Sequence, residues 1–201
     1  MKQLLPPAKV IYASFLTLLL VLGISFNSQA HCDRVNGPVA VAAKQALQTG
    51  DVSIALIWVG AEQAEELTSK YRQSLNVYNS GEASRQLAER YFMETTVRLH
   101  REAEGMPYTG LKPARPSSED IRTAEKALET GNVSPVSDLL AEEIQQTTRE
   151  LYQQAMLAKE KRAQSVEAGR QWVDAYVKYI VYVHGLYQKI QAGPTHGLGN
   201  D

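Results

Sequence analysis

Apolar residues recur every three or four positions along most of this chain, and no stretch alternates as a strand would. That period predicts helices almost throughout. The first runs over Val39 to Thr49 and stops at Gly50, and Asp51 caps a second over Val52 to Val59. A third covers about Ala61 to Tyr78 and ends at Asn79-Ser80-Gly81. A fourth covers about Ala83 to Glu104 and ends at Gly105. Residues 106–116 hold three prolines and no period, so they read as a loop. Ser117 or Ser118 then caps a short helix to Thr130, closed by Gly131. Two long helices follow, about Val136 to Ala163 and Val166 to Gln191.

The pattern repeats. The segment AKQALQTGDVS at 43–53 reads against AEKALETGNVS at 124–134, an offset of 81 residues with seven of eleven positions identical and two more close. Glycine stops and Asp/Asn restarts recur at many helix ends, but the length of the match favours duplication. The expected fold is all-α: a single four-helix-bundle-like domain over 31–192, built from two pseudo-repeated halves. Residues 193–201 read as a loose tail. A pseudo-twofold would give His100 and His184, 84 residues apart, similar places on paired helices.

The first thirty residues break the pattern. Lys2 and Lys9 precede a nearly continuous apolar run from Val10 to Phe26, and Ser28 and Ala30 are small residues at the third and first positions before a cut. This predicts a signal peptide over 1–30, cleaved after Ala30, and an exported chain that is periplasmic or secreted. An uncleaved anchor is the rival reading. Cleavage removes Lys2 and Lys9 from 21 basic residues, which leaves 19 against 22 acidic ones, a formal charge of −3. That balance gives no footprint for nucleic acid or for an anionic membrane. One cysteine, Cys32, excludes an internal disulfide framework.

Common catalytic templates are missing: no Gly-x-Ser-x-Gly, phosphate loop, His-Glu-x-x-His or Cys-x-x-Cys occurs. His184 lies on the stripe Val173, Val177, Ile180, His184, Tyr187 and is expected to face the core or its end, as a ligand or as a histidine satisfied by a carbonyl or a tyrosine hydroxyl. His100 lies at the edge of the face made by Ala88, Phe92, Leu99 and Ala103, with Glu104 one turn on to orient its ring.

The processed terminus is the more distinctive candidate. After a cut behind Ala30, His31 offers an α-amine and an imidazole, and Cys32 offers a backbone nitrogen and a thiolate. An α-amine titrates near 8, so a metal competes with its proton at neutral pH. Amine, amide and thiolate close two fused chelate rings, a set that suits Ni or Cu more than Zn. His100 or His184 joins the sphere only if the terminus folds back on the helices. The opposite reading is a non-enzymatic helical interaction or envelope protein with no metal and Cys32 tucked away. Whether the protein is an enzyme, or a homo-oligomer, stays open at this level.

The stretch His31-Cys32-Asp33-x-x-Asn36-Gly37 resembles the nickel hook of nickel superoxide dismutases, His-Cys-Asp-x-x-Cys-Gly, in a family also built from four-helix bundles. The resemblance implies His31 and Cys32 as nickel ligands and a redox role. Asn36 stands where that family has its second thiolate. The segments HCDRVNGPV at 31–39, ALIWV at 55–59, YFMETTVRLHREAEGMPYTGLKP at 91–113 and AGRQWVDAYVKYIVYV at 168–183 resemble a family of uncharacterised exported bacterial helical proteins. That resemblance implies export and one helical domain, and supplies no activity.

Overall fold

A computed structural model of the chain describes residues 31–194 and 197–198. The expected leader and its cut, and His196, lie outside the described residues. The fold is all-α. It divides into two compact units, one running to Arg115 and one over Pro116–Gly199, with the boundary inside the proline-rich loop.

The first unit holds α1 (Pro38–Thr49), the short α2 (Ser53–Leu56), a 3-10 turn at Ala61–Gln63, α3 (Ala64–Tyr78) and α4 (Glu82–Ala103). Pro38 sits at the start of α1, where a missing N–H costs nothing. Gly50 closes α1 with φ +77°, a left-handed cap that few other residues adopt without strain. On α1 the inward face is mostly alanine: Ala40, Ala43 and Ala46 are fully buried, so α4 approaches closely. Helix α4 packs on both α1 and α3 and puts Phe92 and Val97 into the centre. The Phe92 ring meets Tyr71 of α3 at 5.6 Å, and the Tyr71 hydroxyl donates to the Ala46 carbonyl.

The helix expected over Val52 to Val59 is shorter than its pattern. Only residues 53–56 are α-helical, and turns carry the chain to Gly60. The Trp58 carbonyl bonds to the His100 side chain.

The second unit holds α5 (Glu119–Thr130), α6 (Ser134–Lys161) and α7 (Val166–Ala192). Helices α6 and α7 form a long antiparallel hairpin. The two segments of the sequence repeat share a local geometry. Gly50 and Gly131 are both left-handed caps, and the next side chain, Asp51 or Asn132, accepts from the backbone N–H two residues on. A Gly-Asx junction between helices produces that geometry by itself.

One expectation is corrected here. The stripe Val173, Val177, Ile180, Tyr187 does not face a core; these residues are between 43 and 61% exposed, and His184 is exposed too. The half-buried face of α7 is Ala168, Trp172, Ala175, Tyr179, Tyr182 and Leu186, rotated by about one residue, roughly 100° on a helix. Its spacing of four and three makes a regular seam against Ile144, Leu151 and Ala155 of α6. The aromatic seam won the contact, and the valine stripe beside it was left outside.

Candidate functional site

Residues 31–37 form a tight turn that packs on the C-terminal end of α4. Gly37 makes the turn feasible. A Cβ at this position would collide with the His31 carbonyl oxygen, and the Arg34 and Cys32 carbonyls lie 3.1 and 3.3 Å from it. The Gly37 N–H donates to the Arg34 carbonyl at 2.8 Å, and the Gly37 carbonyl accepts the first bond of α1 from Val41. Gly37→Ala is expected to cost about 1–3 kcal/mol, the usual range for overpacking. Urea unfolding measures it, and an unchanged midpoint would show that the turn gives way freely.

The turn is tied down in three places. Asp33 accepts from Arg101 Nε at 2.6 Å, and both side chains are more than nine-tenths buried. The Val35 N–H donates to the Lys112 carbonyl and the Lys112 N–H to the Asp33 carbonyl, a two-bond parallel bridge to the proline loop. Asn36 pairs with Arg115 in both directions: its amide donates to the Arg115 carbonyl at 3.0 Å, and its oxygen accepts from the Arg115 N–H at 3.2 Å.

Behind the turn lies an ionic cluster. Arg101, 3% exposed, donates from Nε to Asp33 and from Nη1 to Glu104 Oε2 at 2.8 Å. Burial alone would push its guanidinium down. The Asp33 hydrogen bond and charge, then Glu104, then the Cys32 sulfur, outweigh burial and hold it above its ordinary value. Cys32, half-buried, therefore lies within electrostatic reach of a fixed cation.

His100, 4% exposed, is next on the helix. Its Nδ1 lies 2.7 Å from the Trp58 carbonyl. A carbonyl only accepts, so Nδ1 carries the proton. Nε2 is 3.5 Å from Glu104 Oε1, beyond hydrogen-bonding length, and has no hydrogen-bond partner among the described residues. Glu104 thus spans the two side chains, with one oxygen on Arg101 and the other toward His100.

The four candidate ligands separate into groups. His31 and Cys32 sit in the turn that Arg101 anchors, and His100 is the neighbour of Arg101 on α4. His184 lies in the second unit, on the exposed side of α7. His100 and His184 are therefore not equivalent: one is buried and one is exposed. Among the described residues, no three or more His, Cys, Asp and Glu side chains come together as a metal cage.

Sequence reasoning missed Asp33 and Arg101, since a buried ion pair 68 residues apart has no local signature. Lys112 bonds the turn through its backbone and returns its ammonium to the Thr109 carbonyl at 2.6 Å. Tyr108 packs half-buried against the core, and burial first, then Glu94, pushes its hydroxyl up.

A family model described as a family of unknown function (DUF6448) matches residues 36–182. The matched segment begins at Asn36 and takes in His100, Arg101, Glu104 and His184. No curated protein matches the chain, and no solved structure does.

Proposed function

The chain belongs to the DUF6448 family of unknown function, and we propose that it is an exported transition-metal-binding helical protein that uses the processed His31-Cys32 terminus, with nickel or copper preferred over zinc. The observation that carries this reading is the anchoring of the turn. Residues directly behind a leader are usually loose, yet Asp33, Asn36 and Gly37 hold these against a buried arginine and the proline loop. A chelate gains from that rigidity, because less ordering remains when the metal binds.

Cys32 lies within electrostatic reach of the Arg101 cation, and a thiolate is the form that binds a soft metal. The donors are then the His31 amine, the Cys32 amide nitrogen, the Cys32 thiolate and the His31 imidazole. Asn36 adds none, since Arg115 occupies both ends of its amide. One thiolate is a weaker base for redox tuning than the two of the nickel-hook pattern, so metal binding comes first in this reading and superoxide dismutation second.

A second reading, a helical interaction protein without metal, is favoured by the exposed apolar side of α7. Elemental analysis separates the two. Protein whose chain begins at His31 is expected to carry stoichiometric nickel or copper. His31→Ala, and a form that keeps one residue in front of His31, are expected to lose it. Equally little nickel, copper and zinc in all three would end the metal reading.

A further inference from the structure

Helix α7 carries two parallel seams, and only one has a partner within its unit. The first, Ala168 to Leu186, is half-buried against α6. The second is Val173, Tyr176, Ile180, Val183, Tyr187 and Ile190, whose exposures run from 38 to 61%. Its spacing is three, four, three, four, three, the repeat of a helix that packs along its length against another helix. Surface positions of a solvated helix show no such regularity in valine, isoleucine and tyrosine. The unit also needs cover: Ala155 is its single buried hydrophobic among the described residues.

We propose that this second seam is a homodimer interface, in which α7 of one copy packs antiparallel on α7 of a second copy and two α6–α7 hairpins make a four-helix bundle. Any three-four seam reverses onto itself, so the spacing alone does not choose the partner. The chemistry does. Reversal sets Val173 level with Ile190, Tyr176 level with Tyr187, and Ile180 level with Val183 of the other copy. A twofold axis then passes between Val181 and Tyr182. Aromatic meets aromatic and branched aliphatic meets branched aliphatic, and each pair occurs twice about the axis, as in an isologous contact.

The size fits as well. The exposed apolar residues on this side leave about 600 Å² per copy to cover, about 1,200 Å² for a pair, at the lower end of specific interfaces. The dimer is therefore a reversible one. This proposal is independent of the metal reading, which concerns the first unit.

Sedimentation equilibrium on the protein made from the full chain, over about 1–100 µM, tests it in a Cys32→Ser background. A monomer–dimer equilibrium is expected. Ile180→Lys and, separately, Tyr187→Glu are expected to abolish the dimer with helical circular dichroism unchanged; both side chains are already exposed, so folding does not depend on them. Mixing Tyr176→Cys chains with Tyr187→Cys chains is expected to give a disulfide faster than either chain alone. Any of four results would overturn the proposal: a monomer at every concentration, a dimer that survives both charge substitutions, a mixed pair no faster than the single chains, or a monomer that sediments with phosphatidylglycerol vesicles.

Discussion

Arg101→Met is expected to destabilise the first unit by about 3–5 kcal/mol, the cost of leaving buried carboxylates without their cation. Asp33 and Glu104 both face this guanidinium, and their side chains are 9 and 12% exposed. Methionine fills the space and supplies no donor. For a chain of this length melting as one domain, a loss of that size lowers Tm by on the order of 10–20 °C. Arg101→Lys should lose less, because a charge remains while the two-pronged contact from Nε and Nη1 does not. A double-mutant cycle with Asp33→Asn isolates the pair, and strong coupling is expected since the atoms are 2.6 Å apart. A loss below about 1 kcal/mol for Arg101→Met, within the range of an exposed pair, would mean that water reaches the cluster and that the turn is not held as described.

Phe92→Ala is expected to cost about 3–5 kcal/mol as well, by a different route. Phe92 is fully buried on α4, between α1 and α3, with its ring on Tyr71. Removing it opens a cavity that small alanines on α1 cannot close without moving the helix. Phe92→Leu keeps much of the volume and should cost less. The two variants are distinguishable by limited proteolysis at residues 31–37. Arg101→Met releases the turn directly, whereas Phe92→Ala leaves Asp33 and Arg101 in contact in the folded state, so cleavage there should track global unfolding. Early cleavage of the turn in Phe92→Ala at low denaturant would contradict this assignment of the anchor. Chemical denaturation followed by circular dichroism, read together with the proteolysis, supplies both measurements.

Much of the fold was legible because helix signals are local. Gly50, Gly105 and Gly131 end helices where the pattern stops, three prolines mark the 106–116 loop, and the long helices begin and end within a few residues of their expected bounds. The shortened helix after Asp51 was not legible, since the carbonyl of Trp58 bonds to His100, 42 residues away. The candidate site was half legible. His31 and Cys32 stand out as a pair behind a long apolar run, and Glu104 was expected beside His100, where it lies at 3.5 Å. Asp33 and Arg101 read as ordinary polar residues, because what makes them matter is burial, and burial of a charge depends on what the rest of the chain places around it.

Helix α7 draws the same line most sharply. Its period of three and four is a property of the sequence, and it required a helix with apolar seams. Which seam would meet α6 was not written in that period, since the stripes at Trp172 and at Val173 repeat identically and lie one residue apart. Packing of Trp172, Tyr179 and Leu186 against α6 decided it, and so moved His184 from an expected core position to an exposed one. The amino-acid sequence by itself determined most helix positions and ends and the adjacent His31-Cys32 pair, because backbone propensity and capping act over four residues or fewer. Only the tertiary structure decided which histidine is buried, which arginine holds the turn and which apolar face of α7 is left exposed, because those follow from volume and charge brought together across the chain.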